Sequence, residues 1–391
     1  MPKPLRAAQF LLASVVAAIA GGAHAATGYS DWSMSSATIG ATPAGQLAPA
    51  ADGSLIGTAE SGGPGGHGSV YRVDTHGGMT VLHAFDGRDG QTIVAGVTPG
   101  AGGWFYGATA WGAADGLGGI FRVDLKGRFE MLHAFDDGAD HGANYVASPL
   151  TLGPDGNFYG TTVYAAGYPM HNGTVFRMTP DGQLTVLYVF GTRGRNPYGG
   201  VTFGRDGLLY GTTSTDGRET CGLIYAMAPD GTGFKVVHQF DHLVDGCQPQ
   251  TTMALDADGT MVGTTRFGGP LGGLGAIFRF DPATSAVTVL HTFHDDDPIG
   301  DVLQAGVSRD AAGNFYGATS EGSTFGEGAL FSLAPDGTIA LLHAFAGGAA
   351  DGMAAATTPT QLPGGGVAGT TLQGGADAVG TVYRLPAKKP R

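Results

Sequence analysis

Phe158-Tyr159-Gly160-Thr161-Thr162, Gly173-Thr174-Val175-Phe176-Arg177 and Leu187-Tyr188-Val189-Phe190 follow one another in the middle of the chain. Pro154-Asp155-Gly156 precedes the first, and Pro180-Asp181-Gly182 separates the last two. Aromatic and β-branched residues in runs this short have the composition of strands. Asp-Gly tolerates the positive φ of a tight hairpin turn, so the punctuation reads as antiparallel hairpins. A run of smaller residues, Pro149 to Leu152, comes before the first turn and completes a unit of four strands, a to d.

The unit recurs along the chain. Its strand b glycines are Gly57, Gly107, Gly160, Gly211, Gly263, Gly317 and Gly369, at intervals of 50, 53, 51, 52, 54 and 52 residues. Each is followed by a strand c motif, such as Val70-Tyr71-Arg72, Ile120-Phe121-Arg122 or Val382-Tyr383-Arg384. The strand d motif appears six times: LHAF at 82–85 and 132–135, LYVF at 187–190, VHQF at 237–240, LHTF at 290–293 and LHAF at 342–345. Four antiparallel strands repeated seven times predict an all-β, seven-bladed β-propeller, because a single unit cannot bury its faces and stacked units can. The seventh unit lacks strand d, while Gly28 to Met34 stand unused ahead of the first. Trp32 lies 25 residues before Gly57, within the 21–25 that separate the strand d Phe from the next glycine elsewhere. Residues 28–34 are therefore expected to pair with 380–385 and close the ring, removing a sheet edge.

Composition agrees. The 71 Gly and 21 Pro exclude long helices, and 42% apolar with only 14% charged residues excludes disorder. Lys3 and Arg6, the apolar run Phe10 to Ala20 and Ala23-His24-Ala25 read as a signal peptide over 1–25, leaving 26–391 as one propeller domain. The apolar run is too short to span a membrane. Export to the periplasm or beyond is expected. Without Lys3 and Arg6, 18 basic residues face 33 acidic ones, a net charge of −15. That surface repels nucleic-acid backbones and anionic membranes. A monomer is expected.

The motifs resemble the GloVer-type tandem repeats of secreted bacterial proteins, in Gly173-Thr174-Val175-Phe176, Asp181-Gly182, Leu187-Tyr188-Val189-Phe190 and Tyr159-Gly160-Thr161-Thr162. The resemblance implies secretion and supplies no catalytic residues. Members often carry a C-terminal surface anchor, and no anchor motif is visible in Pro386 to Arg391.

Strand directions put the short a–b and c–d turns on one face of the disc and the longer b–c and d–a loops on the other, where function concentrates. Candidate ligand-binding residues there are Glu60, Trp111, Tyr164, His171, Asp216, Glu219, Arg266 and Glu321. No cofactor is implied. Ca²⁺ is the sharpest metal idea, with Asp136, Asp137 and Asp140, or Asp295, Asp296, Asp297 and Asp301, as carboxylate donors. The strand d histidines His83, His133, His238, His291 and His343 are spread around the ring and cannot converge on one ion, so they read as repeat residues. The strand c arginines likewise read as repeat ion-pair or stacking elements. Cys221 and Cys247 are expected to form a disulfide. No sialidase Asp-box, nucleophile elbow, zinc motif or phosphate loop occurs. These observations favour a non-enzymatic module that binds a glycan, peptide or protein on the long-loop face. A glycan-active lyase or hydrolase with an acidic site there, and a structural surface or matrix component, are the alternatives.

Overall fold

In the computed structural model the described residues are 28–136, 138, 140–165, 172–191, 193–217 and 220–387. The signal-peptide reading, Asp137, His171 and Glu219 fall outside them. Seven four-stranded antiparallel sheets form the blades of a ring, as the repeat predicts. Blade three is typical: Thr151–Leu152 innermost, then Phe158–Thr162, Thr174–Met178 and Leu184–Val189. The seventh blade combines Thr360–Gln361, Gly366–Thr371 and Thr381–Pro386 with the N-terminal strand Ser30–Ser33.

The Gly-Thr-Thr motif is explained residue by residue. Its glycine lies opposite the strand c aromatic in every blade, for example Gly57 with Tyr71, Gly160 with Phe176 and Gly317 with Phe331. The ring lies over the glycine, and a Cβ on Gly160 would come within 2.5 Å of the Phe176 ring. The glycine is thus required by close packing rather than by a turn. The first threonine reaches across to the next blade: Thr161 and Thr264 donate to the carbonyls of Gly199 and Ala305 at 3.0 and 3.1 Å. The second stays at home, and Thr162 and Thr265 accept the amide that opens strand c, each at 3.1 Å.

Strand d phenylalanines seal the blade interfaces. Phe85 meets Phe121 of the following blade at 5.3 Å between ring centroids, and Phe190 meets Tyr225 at 5.2 Å. At the seam the register is Ser30 to Arg384, Asp31 to Tyr383, Trp32 to Val382 and Ser33 to Thr381. Elsewhere Val70 faces His83, so Trp32 occupies the histidine position, and Met34 rather than Trp32 takes the place of the sealing phenylalanine. Met34 is buried in one cluster with Tyr71. The interval to the next glycine did not separate these registers, since Met34 also lies 23 residues before Gly57. Tyr29 locks the strand by stacking on His343 at 3.6 Å and donating its hydroxyl to Asp351 at 3.0 Å.

Candidate functional site

The d–a and b–c loops meet on one face through short bridges such as Gln91 with Trp111, Asn144 with Tyr164 and Cys247 with Phe267. Just before each bridge, the b–c loop donates an amide to a d–a carbonyl. The accepting residues Thr42, Thr92, Tyr145, Asn196, Gln248 and Ala354 all have φ between 55° and 61°. Left-handed backbone is costly for a residue as bulky as tyrosine. Because six blades share it, this strain belongs to the fold, and in blade three it aims Tyr145.

The recurring histidines are explained by the same loops. His83 Nε2 lies 2.7 Å from Asp89, His133 2.7 Å from Asp140, His238 2.7 Å from Asp245, His291 3.1 Å from Asp297 and His343 3.0 Å from Asp351. Each aspartate also accepts a backbone amide at the start of its loop, as from Asp136 to Asp140 and from Ala346 to Asp351. Burial holds the His83 imidazole below its ordinary pKa although Asp89 opposes this. Burial pushes Asp351 up, but the bonds from His343, Ala346 and Tyr29 outweigh it, and its carboxyl titrates below the ordinary range. Two of the calcium candidates, Asp140 and Asp297, are thereby engaged as histidine partners. The two acidic runs lie in the d–a loops after blades two and five, so they do not share one site. Asp301 is pushed up by burial, then by Glu321 and Asp295 beside it. Among the described residues the one trio with metal-ligand spacing is Cys221, His242 and Cys247. Its cysteines form the expected disulfide, with Cα atoms 4.4 Å apart.

Four sequence candidates do gather with two others at the mouth of the central channel. Trp111 stands edge-on to Tyr145 at 6.0 Å, and Tyr145 to Tyr164 at 5.6 Å. Tyr164 is hydrogen-bonded to Tyr198, whose hydroxyl is pushed up to about 12 by burial and then by that bond. Tyr198 lines the channel. Glu60 flanks this aromatic crescent near Tyr145, and Arg266 flanks it near Tyr198, each close enough to perturb the neighbouring hydroxyl. Burial pushes the Glu60 carboxyl up, and burial is also the first cause of the rise at Tyr145. Asp216 does not join; it pairs with Arg195 at 2.9 Å. Glu321 lies away from the crescent, beside Asp301 in blade six. Tyr145 and Tyr198 are the residues sequence reasoning passed over as sites. Their signal was available: each is an aromatic in a d–a loop, where the other blades place Thr, Asn, Gln, Val or Ala at the Tyr145 position and Ala, Val or Gln at the Tyr198 position.

Below the crescent a cavity of about 250 Å³ is lined by neutral groups including Gln46, Ser148, Gln250, Thr252 and Gln304. A second space of about 290 Å³ continues toward the short-turn face, again with no charged lining residue. The arrangement is a neutral polar channel under an aromatic rim, with one carboxyl and one guanidinium at its edges.

The fold and this mouth define a seven-bladed propeller with an aromatic-rimmed channel. Residues 24–202 match the family model of the Gloeobacter/Verrucomicrobia repeat, so the resemblance read from the motifs is borne out over that stretch. No curated protein matches the chain. Among solved structures it is similar to an oligogalacturonate lyase in complex with manganese, with 13% identity and TM-score 0.60, covering 92% of this chain and 97% of that one. It is also similar to the oligogalacturonate lyase of Vibrio parahaemolyticus, with 11% identity, TM-score 0.57 and the same coverage. TolB of Acinetobacter baumannii is looser, with 18% identity, TM-score 0.43 and coverage of 70% of this chain; the chain spans 58% of TolB's length. At these identities the likeness is one of fold.

Proposed function

We propose that the protein is an exported binding module that takes a saccharide at the long-loop mouth of its channel. The observation that carries this reading is the convergence of Trp111, Tyr145, Tyr164 and Tyr198, drawn from neighbouring loops, above a channel lined by amides and hydroxyls. Aromatic faces stack on the C–H faces of sugars, and amides and hydroxyls satisfy sugar hydroxyls without demanding a charge. The disulfide fits an oxidising compartment, and no helix among the described residues is long and apolar enough to cross a membrane.

Calorimetric titration with oligosaccharides tests the proposal. Wild type binds, and Trp111→Ala with Tyr164→Ala abolishes binding while the melting curve is retained. Unchanged binding in that double variant rejects the site. A second reading is favoured by Glu60, whose carboxyl is raised in the direction a general acid needs. Reducing-end release that disappears in Glu60→Gln while binding persists would establish glycan hydrolysis; binding without turnover leaves a pure binding module.

A further inference from the structure

Arg266 differs from the arginines that the fold ties into ion pairs. Arg72, Arg122, Arg195, Arg279 and Arg309 each have a carboxylate partner, at 2.8, 2.5, 2.9, 3.2 and 2.6 Å. Arg266 has no carboxylate partner among the described residues. Its Nε is buried without a hydrogen-bond acceptor, as are those of Arg72 and Arg279, but unlike theirs its guanidinium meets no carboxylate and rests instead over the Phe267 ring at 5.1 Å. It sits three residues after the strand b glycine, where the other blades carry Glu60, Ala110, Val163, Ser214, Ser320 and Leu372, so the repeat does not call for a cation there. A buried N–H left unpaired costs free energy, and a charged donor costs more. The local backbone is also fixed. Cys247 pairs with Phe267, the Arg266 amide donates to Gln248, and Gln248 donates to the carbonyl of Cys221, so the disulfide holds the strand pair that presents this side chain.

We infer that Arg266 is the recognition group for a carboxylate on the bound saccharide, and that the ligand class is a uronic-acid-bearing oligosaccharide. This rests on the saccharide reading above. The guanidinium fork matches a carboxylate in two parallel hydrogen bonds, satisfying the idle Nε–H. The same side chain is within electrostatic reach of Tyr198, so a carboxylate on Arg266 places its sugar ring toward the crescent. A monoanion fits better than a phosphate or sulfate polyanion. Among the described residues Arg266 is the cation that flanks the crescent, Glu60 flanks it near Tyr145, and the chain as a whole carries a net charge of −13.

An array of matched pairs tests this, each hexose-terminated oligosaccharide beside its hexuronate-terminated counterpart, with the best pair followed by calorimetry. The uronate is expected to bind about tenfold or more tightly than its neutral partner. Raising the salt is expected to shrink that preference, and Arg266→Gln to remove it. Arg266→Lys, which keeps the charge and loses the fork, is expected to fall between. Trp111→Ala weakens both members. Equal binding of both members, or an uronate preference that survives Arg266→Gln, overturns the inference and leaves the saccharide reading standing. Stronger binding of a matched sugar phosphate overturns the carboxylate assignment. If no member of any pair binds, the saccharide reading itself falls.

Discussion

The rim and the mouth of the long-loop face use their polar and aromatic side chains to opposite ends. At the rim, five histidines in equivalent positions each engage the aspartate six to eight residues further along, and the contact fastens a loop. At the mouth, Tyr145, Tyr198 and Arg266 sit on positions that the other blades fill with unrelated residues, Trp111 and Tyr164 share one position that is aromatic in three blades, and they come together. In a ring of repeats, a residue present in every blade is distributed around the circle and serves the blade. A site is assembled where individual blades depart from the pattern near the axis.

The largest effect that follows is at the seam, where a departure is structural. Deleting residues 28–34 removes the outer strand of blade seven together with Tyr29, Trp32 and Met34, and is expected to abolish cooperative melting. A melting curve like that of wild type would show that the ring does not depend on this strand. Cys221→Ser comes next, with a loss of about 3.5 kcal/mol in denaturant titration for a loop of this length. It sharpens the comparison, because the same change frees the strand pair under Arg266 and should also weaken ligand binding.

The rim clasps are expected to cost less. Asp140→Ala leaves His133 and the Asp136 amide without their acceptor, for a loss of about 1–3 kcal/mol. Acid should act on the seam clasp in the same sense. The folded carboxyl of Asp351 titrates below its unfolded value, so its contribution is complete above about pH 4 and is lost as pH falls through the folded pKa. Tyr29→Phe removes one of the bonds that depress it and should flatten the melting temperature's dependence on pH in that acidic window. The smallest effect is expected from Tyr71→Phe, Tyr225→Phe or Tyr383→Phe. These buried hydroxyls have no partner and four blades carry Phe there, so stability should change by less than about 0.5 kcal/mol or rise slightly.

Much of the fold was legible because glycine spacing and aromatic pairs report period and strand order directly. The seven blades, the closing strand and the disulfide all follow from residues that can be counted. The seam register was not legible. Trp32 and Met34 both satisfy the interval, and the choice depends on which side chain fits against Tyr71 in three dimensions. The site was legible as a face and only partly as a set. Glu60, Trp111, Tyr164 and Arg266 announced themselves as unusual loop residues, but so did Asp216 and Glu321, and nothing in the chain order distinguishes a side chain that points to the axis from one held by Arg195. Asp140 and Asp297 looked like cation donors because their histidine partners sit in a separate motif. The six-to-eight-residue offset was the clue that ties them.

The most direct test pairs one residue from each region in the same two assays. Oligosaccharide titration and thermal melting are measured for Tyr164→Ala at the mouth and His133→Ala at the rim. The account predicts that Tyr164→Ala loses binding at an unchanged melting temperature, and that His133→Ala melts earlier with its affinity intact. Loss of affinity in His133→Ala at temperatures where it is fully folded, with Tyr164→Ala binding as wild type does, would contradict it.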